Sequence, residues 1–137
     1  IGTATMLPRN ILEGNRGAML VLSRAVHYDY LFPEIRGRSG AYGAGSYFHS
    51  RSGLFGCYTY RSREDKITRD LDTIRRIPEF LDNLRLSQAE LEKLIVGTIA
   101  NYAPYSHPRY AARMHFTRFH FDCAEEERAT LYREIRR

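Results

Sequence analysis

Residues 34–60, EIRGRSGAYGAGSYFHSRSGLFGCYTY, decide the fold. Gly37–Gly40 read as a turn, Ala41–Phe48 as a strand in which small and aromatic residues alternate, His49–Gly53 as a loop, and Leu54–Tyr60 as a second strand. So short a connection between two alternating runs implies an antiparallel hairpin. Glycine inside a strand marks a place where something approaches the backbone closely, and this pair has several.

Upstream, Asn15 is a plausible N-cap, and Met19, Leu22, Val26 and Tyr30 recur at helical spacing until Phe32 and Pro33 stop the pattern. Pro33 then opens one more turn, through Glu34 and Ile35 to Arg36. Downstream, the period changes from 2 to about 3.6. Ser62 with Asp65 resembles a capping box, and Ile67, Leu71, Ile74, Ile77, Leu81 and Leu84 form one stripe that Pro78 should split. A second box, Ser87 with Glu90, opens a helix striped by Leu91, Leu94, Ile95, Ile99 and Tyr102. Pro104 and Pro108 bracket a loop, a helix should run from Pro108 to about Phe121, and Asp122 with Glu125 caps a last one. Near the start, Thr3–Leu7 suit a further strand, followed by a turn around Ile11 and Leu12.

This order implies an α+β fold, a small antiparallel sheet (Ala41–Phe48 with Leu54–Tyr60) covered by helices on one face. Two or three strands make a poor sheet alone, so further strands are expected outside these 137 residues. No repeat or linker divides the chain. Beginning at Ile1 and ending at Arg137, residues 1–137 read as a fragment of one domain, incomplete at one or both ends. The composition, 43% hydrophobic and 27% charged, suits a packed core without disulfides. The longest apolar run, Ala18–Leu22, is far below the roughly 20 residues of a membrane span.

The net charge is +5, and all but Lys66 and Lys93 of the 21 basic residues are arginine, which favours forked hydrogen bonding over point charge. With ten tyrosines and seven phenylalanines this admits a nucleic-acid surface, but acidic residues interrupt the basic ones and no recognised nucleic-acid motif appears. Cys57 and Cys123 lack a C-x-x-C partner and read as free thiols. Five histidines form neither H-E-x-x-H nor H-x-x-E-H, and His120 with Cys123 is a weak pair for zinc. G-x-S-x-G and the phosphate-loop pattern are both absent. What remains is a helix end delivering Arg36, a glycine-rich turn, and Tyr42 at the start of a strand among small residues. Taken alone, these residues also suit a plain surface role, Arg36 at a helix end and Tyr42 over a sheet edge.

The decapeptide Glu34–Gly43, the strand pair ending in Tyr60-Arg61, and the Ile95–Ile99 segment resemble the second half of the pitrilysin/insulinase metallopeptidases, in the branch holding the presequence proteases and falcilysin. The likeness runs from about Arg24 to Arg137. It departs at Ser39, where the branch has glycine, and at Ser62-Arg63, where Asp-Pro is common. The resemblance implies a peptidase of two homologous halves around an enclosed chamber. Zinc and its H-x-x-E-H ligands would belong to the N-terminal half, outside this chain, which would hold no metal ligand. Arg36 and Tyr42 would serve catalysis and substrate binding, with Gly43 beside them letting substrate approach the strand edge. The partners implied are a peptide substrate and the N-terminal half, with neither membrane nor nucleic acid. The compartment implied is the mitochondrial matrix or another organelle, or a bacterial cytoplasm. The alternatives are a non-catalytic peptide-binding or structural subunit of the same superfamily, and a basic nucleic-acid-binding module.

Overall fold

Strand Leu54–Tyr60 (β3) is the centre of a three-stranded antiparallel sheet in the computed structural model, which describes residues 1–102, 108–121 and 125–136. β1 (Gly2–Met6) pairs with it on one side, Gly2 opposite Tyr58 and Met6 opposite Leu54. β2 (Gly43–His49) pairs on the other, Gly43 opposite Tyr60 and His49 opposite Leu54. The period-2 alternation sends Ala44, Phe48, Cys57 and Thr59 into the interior, while Tyr47, His49, Tyr58 and Tyr60 stay exposed. Helices cover the first of these faces, as the α+β expectation required. Strand β2 begins two residues later than the sequence pattern suggests. Ala41 belongs to the preceding turn, its N–H donating to the Ile35 carbonyl at 3.3 Å.

The segment before β2 departs most from its expected form. A short helix, α1 (Arg9–Leu12), replaces the expected turn, and α2 (Arg16–Ala25) follows. The chain does not stop at Pro33. It widens into a π-helical segment, Val26–Ser39, whose buried residues Val26, Leu31, Ile35 and Ser39 are spaced five, four and four apart. That spacing exceeds the α period of about 3.6, so an α-helical reading loses register after Val26. Pro33, which has no N–H to donate, lies on the exposed side of the coil. Val26, Leu31 and Ile35 are wholly buried against Ala41, Ala44, Cys57, Ile74 and Ile77, each such side chain contributing about 1.5–3 kcal/mol by burial. A second cluster, Leu12, Leu20, Val21, Ala25, Phe48, Leu94 and Ile135, joins α2 to the last helices.

Beyond the sheet, the Ser62–Asp65 box does not form. Ser62 Oγ lies 2.7 Å from Thr59 Oγ1, Asp65 pairs with Arg63 at 3.1 Å, and a 3-10 turn (Glu64–Lys66) leads into α3 (Ile67–Arg75). The stripe is split as expected, α4 (Ile77–Asn83) starting with Pro78 in its first turn. The Ser87–Glu90 box does form. Glu90 accepts the Ser87 N–H at 2.8 Å, and its own N–H donates to Ser87 Oγ at 3.3 Å, opening α5 (Gln88–Tyr102). Hydrogen bonds from Ser87 hold the Glu90 carboxyl below its ordinary range. Helices α6 (Pro108–His120) and α7 (Glu125–Arg136) complete the chain. Pro104, Tyr105, Asp122 and Cys123 lie outside the described residues.

Asn15 does occupy the N-cap position of α2, but its side chain donates backwards to the Ile11 carbonyl at 3.1 Å. The cap comes from α7 instead. Glu134 accepts the Gly17 N–H at 3.2 Å and pairs with Arg16 at 3.4 Å, placing a carboxylate on the positive end of α2. A side chain on Gly17 would put its Cβ 2.1 Å from the Glu134 backbone carbon, whereas one on Gly37 would meet nothing. In urea denaturation, Gly17→Ala should therefore destabilise by about 1–3 kcal/mol through overpacking, while Gly37→Ala should be neutral or mildly stabilising.

Candidate functional site

Arg36 sits in the last turn of the π-helical segment, and Tyr42 is the residue before β2. The turn between them is set by Gly40, at φ 80, whose N–H also donates to the Ile35 carbonyl. Gly40 therefore meets the turn's need for a left-handed residue. Ser39, the departure from the family pattern, packs inside at the end of the coil, where its small side chain is accommodated.

Both candidate residues are exposed, and each is stacked on a neighbour of its own. The Arg36 guanidinium lies 4.8 Å above the Phe32 ring, one turn back along the coil. The Tyr42 ring is 5.5 Å from the Tyr60 ring at a tilt of 60°, and the Arg61 guanidinium lies 5.2 Å above its face. Tyr42 keeps 61% of its surface exposed, so these contacts orient the phenol without closing it off. Arg61, at φ 51, is the one non-glycine residue with a positive φ among the described residues. A side chain held there costs about 1–2 kcal/mol.

Gly43 lies under a ring of the neighbouring strand. A methyl group at this position would fall 2.3 Å from the Tyr60 ring, so the space above the glycine is already taken by that ring. Gly56 makes the same provision for Tyr47. The close approach that Gly43 and Gly56 mark is thus by tyrosines of the sheet itself, while at Gly45 it is the His27 ring of the coil together with the Tyr58 hydroxyl. Ring centroids follow one another across the exposed face, Tyr42 to Tyr60 at 5.5 Å, Tyr60 to Tyr58 at 6.2 Å, and Tyr58 to Tyr47 at 6.4 Å. The outer edge of β2 is likewise engaged at Ser46. Its Oγ donates to the Ser23 carbonyl at 2.6 Å, and its backbone shares a hydrogen bond with His27.

His27 borders a cleft of about 400 Å³ with Arg24, Tyr28, Ser46 and Asn101. Burial lowers its pKa, the Ser46 hydrogen bond pulls it back, and the Arg24 charge lowers it further. No pattern in the sequence marks His27, because the contact crosses from coil to sheet edge. Arg61 was visible as the end of the strand motif, but nothing in the sequence reveals its backbone conformation.

Among the described residues, no three His, Cys, Asp or Glu side chains come together as a metal-binding group. His120 contacts the rings of Phe116 and Phe121, and Cys123 lies outside the described residues. The donors present here therefore do not fit a zinc ion. No described helix is long and apolar enough to cross a membrane.

Fold and site together define an α+β domain that exposes an arginine, a tyrosine and a row of rings, with no metal-ligand cluster among its described residues. Residues 10–137 match the family model of the PreP C-terminal domain, and the chain belongs to that family. It is 30% identical over 119 residues to presequence protease 1, chloroplastic/mitochondrial, of Arabidopsis thaliana, covering 87% of this chain and 11% of that protein. It is 32% identical over 111 residues to the mitochondrial presequence protease of Kluyveromyces lactis, covering 80% and 11%. It is also 35% identical over 86 residues to protein HypA of Clostridium perfringens, covering 63% and 8%. The chain spans about a tenth of the length of these relatives.

Cys57 lies beneath the site on the inner face of β3, and burial pushes its thiol up from an ordinary value near 9 to about 11. The folded chain thus keeps a proton that the unfolded chain releases. The corresponding stability is intact below pH 9 and is lost between pH 9 and 11, amounting to about 2–3 kcal/mol. Iodoacetamide at pH 8, followed by peptide mapping, should label Cys57 in urea and leave it unmodified in the folded chain. Cys57→Ala should flatten the alkaline fall in stability.

Proposed function

We propose that this chain is part of the zinc-free C-terminal half of a zinc metalloendopeptidase that degrades peptides inside a two-half chamber, and that Arg36 and Tyr42 complete its active site. The observation that carries this reading is the Tyr42 phenol, exposed yet held by Tyr60 and Arg61, six residues from an exposed arginine on the same turn. Membership of the PreP C-terminal domain family and the presequence proteases among the relatives support it. Zinc, held by residues of the N-terminal half, would supply Lewis acidity there, and no group of donors among the described residues of this chain fits it.

The work of this chain is binding and charge stabilisation. The planar fork of the Arg36 guanidinium grips carbonyl oxygens of an extended peptide. The Tyr42 hydroxyl donates a hydrogen bond to the oxygen of the scissile carbonyl as negative charge develops on it. Stacking on Phe32, Tyr60 and Arg61 fixes both groups beforehand, so little reorganisation accompanies reaction. Gly43 lets substrate approach the strand edge beside Tyr42, and its lack of a side chain also seats the Tyr60 ring. The partners of this reading are a peptide and the N-terminal half, and strands missing from this small sheet are supplied by chain beyond these residues. The mitochondrial matrix or another organelle is the compartment, by analogy with relatives whose names state one, and a bacterial cytoplasm is the alternative.

In the full-length enzyme, Tyr42→Phe should lower kcat by about 100- to 1000-fold with little change in KM, because the donor matters only when charge develops. Arg36→Ala should act more on KM, and more for long peptides than for short ones. Steady-state kinetics on a fluorogenic peptide decides it. Unchanged turnover in Tyr42→Phe would overturn the reading.

A further inference from the structure

Arg61 is held in a conformation that arginine does not choose. A φ of 51 suits glycine or asparagine, and such strain persists only where surrounding contacts over-determine it. The contact that the structure gives Arg61 in return is the face of Tyr42, 5.2 Å from the guanidinium. Turning the backbone left-handed at the end of β3 swings the next side chain back across the hairpin end, where Tyr42 precedes the partner strand. Tyr60, paired opposite Gly43 and lying over it, closes in on the same ring from a tilted angle. Tyr42 is thus held by two consecutive residues, Tyr60 at the end of β3 through ring contact and Arg61 just beyond it through charge.

We infer that Arg61 is a positioning residue for Tyr42: it fixes the plane of the phenol and adds positive charge where the hydroxyl meets a developing oxyanion. This deepens the proposed function and rests on it. Three features of the site fit the role. A planar guanidinium stacks on a ring face in a way that an ammonium group does not. The contact spares the Tyr42 ring enough exposure to meet a ligand. Arg36, the other cation of the turn, is occupied with Phe32, so the two arginines have separate tasks.

The test uses the full-length enzyme with four variants: Arg61→Asn, Arg61→Lys, Tyr42→Phe, and Arg61→Asn combined with Tyr42→Phe. Asparagine tolerates a positive φ, so Arg61→Asn removes the charge and keeps the turn. An exposed cation–ring contact predicts a fall in kcat of about 2- to 5-fold for Arg61→Asn, with KM within about twofold of the parent. Arg61→Lys should recover part of the loss. In the Tyr42→Phe background the ring remains and the hydroxyl is gone, so Arg61→Asn should cost nothing further. An equal loss in both backgrounds, a loss confined to KM, or no loss in the parent would each overturn the inference while leaving Tyr42 its role. Full activity in Tyr42→Phe alone would instead overturn the functional reading, and this inference with it.

Discussion

Two N–H groups, those of Gly40 and Ala41, converge on the carbonyl of Ile35, and the rest of the site depends on that closure. Ile35 is wholly buried between the sheet and α3–α4, so the carbonyl that receives them cannot drift. The bonds stop the wide coil, reverse the chain through a left-handed glycine, and launch β2 in the register that sets Gly43 opposite Tyr60. Arg36 immediately follows the anchored residue, and Tyr42 follows the second donor. Neither functional group is buried, yet each hangs from backbone that the core fixes. Exposed side chains with a rigid origin are what a binding site needs, since contact requires access and orientation requires support.

The two faces of the sheet divide the remaining labour. Inward, Ala44, Phe48, Cys57 and Thr59 alternate small with large and lock the strands onto the helices. Outward, glycine on one strand lies across from tyrosine on its neighbour, so each ring rests on bare backbone instead of standing upright. The glycines weaken the strands in isolation. In exchange, a hairpin of seven-residue strands displays a row of mutually tilted rings leading away from Tyr42.

Much of this was legible in the sequence, and the failures share one cause. The hairpin, the break at Pro78, the Ser87–Glu90 box and the stripes of α3 to α5 rest on local patterns, and they formed. Where tertiary contacts compete, the local pattern lost. Asn15 gives up its capping role because Glu134, more than a hundred residues away, reaches Gly17 first. Ser62 turns to Thr59 instead of Asp65. The coil through Pro33 was misread because its burial period is that of a π-helix, which no α-helical or strand template matches. Asp70, which no pattern in the sequence marks, is buried on the inner side of α3 with neither carboxylate oxygen hydrogen-bonded among the described residues. At the site, Arg36, Tyr42 and Gly43 were singled out by the resemblance of the Glu34–Gly43 stretch to the family, since spacing alone also suited a plain surface role. Arg61 and Tyr60 were not, because their importance lies in a backbone angle and a cross-strand pairing.

On the proposed reading, the donors of this chain and the reactive centre lie on separate bodies. A tyrosine hydroxyl and a guanidinium stabilise charge but generate no nucleophile, and the one described thiol is buried and too poorly acidic to serve as one. A site of this kind gains its effect only when a second body presents the reacting bond to it. Separating the charge-stabilising groups from the nucleophile makes reaction conditional on the two bodies meeting around a substrate. The rigid mounting of Tyr42 serves the same end. A donor already aimed before the bodies meet needs only placement, so the binding energy of a long peptide can be spent on bringing them together.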